Sequence, residues 1–264
     1  MMFFGFDNIT VGYGKKIILE GLTLDFPRGS ITTILGANGS GKSTLLKTIP
    51  GTVKPIAGQV ILEGKALLSY SKKEISQTIG YLPQSNYTPE DITVRTLVSY
   101  GRFPYRKRFG SLTSFDKEVV DETLEKCKLT HLAERKVHTL SGGERKLAWI
   151  AVILAQKPKV LVLDEPVTYL DIGHQVDILE LITAIGKKDG LTIAMVLHDI
   201  NLSARYSDRL AVINSGSILA ADSPATVLTS ELLKNVYRIG SEILTDTKHR
   251  CPLVVCEKLK PDQQ

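Results

Sequence analysis

The glycine-rich stretch at residues 36–44 is the first candidate for chemistry in this sequence. Its residues, in order, are Gly36, Ala37, Asn38, Gly39, Ser40, Gly41, Lys42, Ser43 and Thr44. They fit the pattern G-x-x-x-x-G-K-[ST], between an apolar run at 31–35 and a helix-like run at 45–47, which is the context of a phosphate-binding P-loop. The glycines let the backbone bend so that its N–H groups point at phosphate oxygens, and Lys42 adds a positive charge. The stretch therefore predicts a nucleotide site in which the Ser43 hydroxyl binds Mg²⁺.

Two adjacent carboxylates follow a second apolar run. Residues 160–163 are all apolar, which is typical of a strand buried on both faces of a parallel sheet, and Asp164 and Glu165 come next. Open α/β sheets bind their ligands at the carboxyl ends of the strands. We expect Asp164 to hold Mg²⁺ through water, and Glu165 to polarise an attacking water. The alternative is that the pair caps a helix, although Pro166 and the upstream P-loop argue against this.

A serine and two glycines precede a helical pattern at residues 141–156. Ser141 can cap this helix, with Glu144 as its partner three residues later in a capping box. A second interpretation is compatible with the first. Ser141, Gly142 and Gly143 together offer a hydroxyl and backbone N–H donors at a helix N-terminus, where a second phosphate could bind.

The three motifs together resemble the ATP-binding subunit of ABC transporters, and the resemblance extends from about Phe3 to Tyr237. It implies a catalytic set of Lys42, Gln84, Glu165 and His198 and, besides the P-loop, a nucleotide-binding set of Tyr13, Ser141, Gly142, Gly143 and Asp171. In this family Tyr13 would stack on adenine, and His198 would sense the γ-phosphate. Ser43, Gln84 and Asp164 would hold Mg²⁺.

Residues 100–105, 169–175 and 196–201 resemble one group within the family more narrowly, the importers of iron–siderophore complexes, haem and vitamin B12. The resemblance implies ATP and Mg²⁺ as cofactors and a dimer of two copies that sandwiches two ATP molecules. It further implies transmembrane permease subunits, an extracytoplasmic substrate-binding protein that acts indirectly, and a location at the cytoplasmic face of the cell membrane. The expected cargo is an iron(III)–siderophore or a related metal chelate.

Two other functions are considered. A soluble ABC-type ATPase acting on nucleic acid or ribosomes usually carries paired ATPase domains or long coiled-coil insertions, whereas this sequence has one P-loop and no nucleic-acid-binding module. A non-catalytic nucleotide-binding regulator would not need Glu165 and His198. We therefore expect an ATPase that does not bind nucleic acid.

Composition limits the remaining possibilities. The 264 residues are 43% hydrophobic, which is enough for a real core, and no apolar stretch approaches the ~20 residues of a membrane helix. The three cysteines lack metal-binding spacing and fit a reducing compartment. The net charge is +5, and its densest cluster is Arg102, Arg106, Lys107 and Arg108. This cluster either faces anionic lipid headgroups or is a solvated loop.

The pattern along the chain predicts an α/β fold, a P-loop NTPase core with a mixed or parallel sheet, an N-terminal antiparallel β-subdomain and an inserted helical subdomain. The whole chain, residues 1–264, is predicted to be one domain. Its core comprises residues 1–91 and 157–264, and its helical subdomain comprises 92–156. Strands alternate with helices after residue 160, which predicts βαβ units. The tail from residue 238 has no function that the sequence indicates.

Overall fold

The structure is a computed structural model that describes residues 1–87, 91–106 and 110–259. The strands, in chain order, are β1 (Phe4–Tyr13), β2 (Lys16–Phe26), β3 (Ile31–Leu35), β4 (Ala57–Leu62), β5 (Lys65–Ala66), β6 (Ile79–Leu82), β7 (Val160–Asp164), β8 (Thr192–Val196), β9 (Arg209–Asn214), β10 (Ser217–Asp222), β11 (Gly240–Asp246) and β12 (Cys251–Glu257). The α-helices are α1 (Lys42–Leu46), α2 (Lys72–Thr78), α3 (Val94–Ser99), α4 (Ser114–Lys126), α5 (Gly142–Ala155), α6 (Ile172–Asp189), α7 (Ile200–Tyr206), α8 (Pro224–Val227) and α9 (Ser230–Tyr237).

These elements form two compact units. The first unit combines Met1–Ser69 with the described residues from Thr192 onward, and the second comprises the described part of Tyr70–Leu191. The predicted boundaries of the core and the helical subdomain remain a prediction.

The first unit contains a parallel set of strands with the P-loop strand in its middle. Strand β3 pairs in parallel with both β8 and β9, and β10 adds to β9 in the antiparallel direction. All five residues of β3 are buried, as expected for a strand with a neighbour on each side. The mixed sheet that the sequence predicts is therefore confirmed.

The N-terminal strands form a separate antiparallel sheet in the order β2-β1-β4-β5. Its buried face carries aromatic residues, with the rings of Phe4 and Phe26 stacked at 5.3 Å. The predicted antiparallel β-subdomain is thus present. The C-terminal part of this unit forms the antiparallel hairpin β11–β12 and the short helices α8 and α9.

In the second unit, helices α3, α4 and α5 pack around one apolar core, whose fully buried members include Val94, Leu97 and Ala148. Strands β6 and β7 pair in parallel, from Ile79 opposite Val160 to Leu82 opposite Leu163. Their carboxyl ends therefore lie side by side. Among the residues that the structure describes, no helix is both long and apolar enough to cross a membrane.

The predicted basic cluster at residues 102–108 needs correction at its first member. The Arg102 side chain is only 3% exposed, and its Nε donates to Asp116 at 2.9 Å. It also donates to the Ala155 carbonyl at 2.8 Å and lies over the Tyr105 ring. Arg102 is thus neither a solvated residue nor available to lipid headgroups, because Asp116 on α4 supplies a buried partner. Lys107 and Arg108 lie outside the described residues.

Candidate functional site

The P-loop connects β3 to α1, and its backbone adopts the bends that glycine permits. Gly36 has a φ of +150°, and a Cβ at this position would approach the Ile213 carbonyl oxygen to 2.3 Å. Gly41, which caps α1, has a φ of +99°. Side-chain-bearing residues rarely adopt such angles, so these two positions require glycine. The sequence prediction that glycines shape this loop is confirmed.

The Lys42 side chain folds back onto the P-loop, which precedes it in the sequence. The side chain is largely buried, and its Nζ donates to the carbonyl oxygens of Gly36 at 2.8 Å and Ala37 at 3.0 Å. The loop carbonyls therefore hold the ammonium group against the P-loop backbone. A compact positive charge at this position suits a phosphate.

Helix α1 is short and contains five residues. It ends at Leu46, and the chain then tightens into turns in which the N–H groups of Thr48 and Ile49 bond three residues back. Pro50 has no N–H to donate to the Leu46 carbonyl, and its ring would clash with that carbonyl in a continued helix, so it accounts for the early end. Ser43 and Thr44 remain within the helix.

A cavity of about 790 Å³ adjoins the start of the P-loop. His198, which follows β8, lines it together with Gly36, Ala37 and Asn38. The structure thus brings the predicted γ-phosphate sensor and the predicted phosphate loop to one cavity of the first unit. Tyr13 lies at the end of β1 opposite Lys16, with a half-exposed ring that is accessible for stacking.

In the second unit, the acidic pair lies where the sequence predicts it, at the end of β7. Asp164 is fully buried, and Glu165 is 6% exposed with a left-handed φ of 54°. The Oε2 atom of Glu165 accepts hydrogen bonds from Gln84 Nε2 at 2.8 Å and from Thr168 Oγ1 at 3.0 Å. Gln84 reaches Glu165 because β6 and β7 end at the same edge. The next helix, α6, begins at Ile172 and is capped by Asp171, so the helix-cap alternative for the acidic pair is wrong.

Two residues near the acidic pair escaped the sequence analysis. Thr168 is three residues beyond Glu165, a spacing that suits a local side-chain bond but carries no distinctive signal. Lys146 lies on α5. Burial lowers the pKa of Lys146, and the negative charges of Glu165 and Asp164 oppose this shift. A positive group therefore acts electrostatically on both carboxylates.

The start of α5 has the predicted capping box. Ser141 Oγ accepts from the Glu144 N–H at 3.2 Å, and Glu144 accepts from the Ser141 N–H at 2.8 Å. The backbone bond from Ser141 is the main cause that lowers the pKa of Glu144. The Ser141 side chain bonds to Glu144 as well, which lowers the pKa of Glu144 further. The capping role of Ser141 is confirmed, and its role toward a phosphate remains a prediction.

His174 connects the start of α5 with Asp171, a member of the predicted nucleotide-binding set. Asp171 caps α6 by accepting the His174 N–H at 3.0 Å, and its other oxygen lies 2.6 Å from His174 Nδ1. These bonds lower the pKa of Asp171. The His174 ring covers Gly143 so closely that a Cβ there would lie 2.4 Å from the ring. Gly143 is thus needed for space next to a side chain, not for an unusual φ.

The predicted Mg²⁺ ligands are a hydroxyl, an amide and a carboxylate, on Ser43, Gln84 and Asp164. Mg²⁺ prefers such hard oxygen donors, and it commonly uses one or two carboxylates together with substrate phosphates. Gln84 donates its NH₂ to Glu165, which turns the amide oxygen into the atom suited to a cation. Within the described residues, no group of three or more His, Cys, Asp or Glu side chains could form an independent metal site. Each of the three donors is of a type that Mg²⁺ accepts, and their joint role in one site remains a prediction.

Comparison with known proteins places this site in a family. The sequence model of the family described as "ABC transporter" matches residues 19–168. The ferric enterobactin transport ATP-binding protein FepC of Escherichia coli (strain K12) is 43% identical over 249 residues, which cover 94% of this chain and 92% of that protein. The iron(3+)-hydroxamate import ATP-binding protein FhuC of Bacillus subtilis (strain 168) is 42% identical, over 94% and 92% of the two chains.

A solved structure of a protein described as a metal-chelate type ABC transporter, in an inward-facing conformation, has a TM-score of 0.83 at 27% identity and covers 99% of this chain and 98% of its own. The chain belongs to the ABC transporter family. It is an ATP-binding subunit of that family and an ATPase, as the sequence predicts.

Proposed function

We propose that this subunit powers the import of an iron(III)–siderophore complex or a related metal chelate. The observation that carries the proposal is similarity over nearly the whole length of relatives named for ferric enterobactin and iron(3+)-hydroxamate. The overall similarity to a metal-chelate type transporter supports the same cargo class. As partners, we propose transmembrane permease subunits, with a substrate-binding protein on the other side of the membrane. This chain would then lie at the cytoplasmic face.

We infer the following roles for the P-loop side of the reaction. The loop amides and Lys42 hold the phosphates of ATP, and Tyr13 stacks on the base. His198, which shares a cavity with the loop, stabilises charge on the γ-phosphate. Ser43, Gln84 and Asp164 would hold Mg²⁺, whose charge would offset that of the phosphates.

Glu165 is the proposed general base. Two donors, Gln84 and Thr168, fix its carboxylate, and a fixed carboxylate can accept a proton from a well-placed water. The left-handed φ of Glu165 is a strained conformation, and strain of this kind concentrates at functional sites. Both features support a catalytic role over a purely structural one.

We propose that two copies of the chain share each ATP. The P-loop of one copy would hold the nucleotide, and Ser141, Gly142, Gly143 and Asp171 of the other copy would complete its surroundings. Ser141 and Gly142 at the start of α5 support this role, because both are exposed and accessible to a second copy. Hydrolysis would then depend on closure of the dimer, and closure can drive a membrane partner.

The first test is Glu165→Gln. Gln retains the shape and hydrogen-bonding capacity of Glu but cannot accept the proton, so hydrolysis should fall to near background while ATP binding persists. Size-exclusion chromatography with ATP should reveal a stable dimer. Normal turnover in this variant would remove Glu165 from the base role.

The second test addresses the cargo. Vesicles that contain the chain, its permease and its substrate-binding protein should take up ⁵⁵Fe-labelled siderophore in the presence of ATP, and the Glu165→Gln complex should not. Labelled haem and cobalamin serve as comparison cargoes. Uptake of either compound without uptake of iron chelates would contradict the proposed cargo class.

A further inference from the structure

The cavity at the P-loop has a second wall, formed by the end of helix α9. Asn235, Val236, Tyr237 and Arg238 line it opposite the loop. One direct contact joins the two sides, because the Tyr237 hydroxyl accepts a hydrogen bond from the Gly36 N–H at 3.0 Å. These residues are 201 positions apart in the sequence. A residue near the C-terminus therefore holds the first amide of the P-loop.

Packing fixes the position of this hydroxyl. Leu232, Leu233 and Val236 bury one side of α9 in an apolar cluster that includes Leu35, the last residue of β3. The helix ends immediately after Tyr237, where Arg238 adopts a left-handed φ of 57°. Burial raises the pKa of Tyr237 more than the Gly36 amide lowers it, so the phenol stays protonated at neutral pH. The side chain is thus a rigid, neutral acceptor.

The Gly36 backbone is held at other atoms as well. Its carbonyl oxygen accepts from Lys42 Nζ at 2.8 Å, and the Ile213 carbonyl oxygen occupies the space of a Cβ. A bound phosphate would draw the Lys42 ammonium toward itself and weaken its bond to Gly36. The bond to Tyr237 does not involve the phosphate, so it would persist in the nucleotide-bound loop.

We propose that Tyr237 is a positioning residue that fixes the phosphate-binding shape of the P-loop and so couples the C-terminal segment, residues 224–257, to ATP affinity. This inference rests on the proposed phosphate site. It assigns a role to Tyr237, for which the sequence indicated none. Tyr237 acts through Gly36 and need not touch the nucleotide.

Tyr237→Phe in the full chain is the direct test, because it removes one oxygen and retains the ring. Without this bond the free loop would lose its fixed shape, and ATP binding would have to restore it, so we expect KM and Kd for ATP to rise about tenfold. The value of kcat should stay within about twofold, since the groups proposed for chemistry are unchanged. Hydrogen exchange in a peptide covering residues 31–44 should be faster in the variant.

Two control variants separate positioning from stability. Leu228→Ala removes a buried side chain of the same apolar cluster, so it should lower the melting temperature and leave KM unchanged below the transition. Tyr87→Phe removes an exposed phenol hydroxyl and should change neither quantity.

Each remaining outcome overturns the inference. An unchanged KM for Tyr237→Phe would show that the bond does not shape the site, and a lower kcat at unchanged KM would assign the hydroxyl to chemistry. A variant that fails to fold would show a purely structural role. Absence of ATP binding in the wild-type chain is a different result, because it would refute the proposed phosphate site itself.

Discussion

Alanine at Gly143 would test whether the His174 ring occupies the space next to this glycine. The added Cβ would lie 2.4 Å from Cδ2 of the ring and 2.9 Å from Cγ, whereas ordinary contacts begin at 3.4 Å. The ring would have to move by roughly 1 Å, and this movement would break its bond to Asp171. The His174 side chain is 46% exposed, so it can swing outward without disturbing the core.

The size of the effect follows from this freedom to move. The cost is mainly the exposed bond between His174 and Asp171 and some packing, which together are worth about 1–2 kcal/mol. Alanine also favours a helix over glycine by up to about 1 kcal/mol, which would mask part of this cost. Gly142→Ala is the matched control, since its Cβ would meet only Leu170 at 3.6 Å. We expect Gly143→Ala to be about 1–2 kcal/mol less stable than Gly142→Ala.

Urea denaturation of both variants, with and without His174→Ala, measures this difference. Once the ring is absent, the two glycine variants should agree within about 0.3–0.5 kcal/mol, the limit for independent sites. A difference that persists without the ring would refute the steric explanation. Equal stabilities in the presence of the ring would refute it too.

Three further predictions address the site and the buried ion pair. Lys42→Ala should weaken binding of a fluorescent ATP analogue by about 2–5 kcal/mol, since a buried phosphate charge loses its partner; wild-type affinity would refute the P-loop assignment. Ser141→Arg should abolish hydrolysis while ATP still binds. Mixing this variant with Lys42→Ala should restore some activity, because mixed dimers contain one intact site. A normal rate of hydrolysis in Ser141→Arg alone would exclude shared sites. Arg102→Ala should lower the free energy of unfolding by about 3 kcal/mol, because Asp116 remains buried without its partner. Burial raises the pKa of Asp116, but the hydrogen bonds from Thr113 and Arg102 outweigh burial, so the net pKa is lowered. The stabilisation by this ion pair is therefore present above about pH 4 and is lost as the pH falls further. Acid titration of the wild type and of Arg102→Ala checks this pH dependence.

Local patterns in the sequence were sufficient for the elements that hold the chemistry. The apolar run before Gly36 is β3, the run before Asp164 is β7, and Ser141 caps α5 with Glu144 as its partner. In each case the signal lies within about ten residues, because burial on both faces and helix capping are local requirements. These parts of the fold and site could be predicted without coordinates.

Weakly patterned elements were missed. Strand β10 contains no buried residue, and it exists through its antiparallel pairing with β9. Strand β11 is likewise defined by its partner β12, and the four-residue helix α8 is too short for a periodic signal. Pairing of this kind depends on another segment, so propensity alone does not reveal it.

Contacts between residues that are far apart in the sequence could not be predicted from it either. The bond between Tyr237 and Gly36 and the ion pair between Arg102 and Asp116 carry no local pattern. For Arg102, a run of basic residues favoured a surface loop, but one buried carboxylate changed its environment. The close approach of His174 to Gly143 depends on where α5 and the start of α6 lie in space.

The order of segments in the first unit has a consequence for synthesis of the protein on the ribosome. The P-loop strand β3 is made early, but its neighbours β8 and β9 are translated much later, as the bonds from Gly29 to Thr192 and from Ile31 to Asp208 show, at separations of 163 and 177 residues. A nascent chain that stops before Thr192 would contain the whole P-loop sequence and lack both strands that hold it. Such a chain would expose the apolar run of β3, which favours aggregation or capture by chaperones. The nucleotide site should thus form only after β8 and β9 have been translated, so ATP binding would report that synthesis has passed these strands.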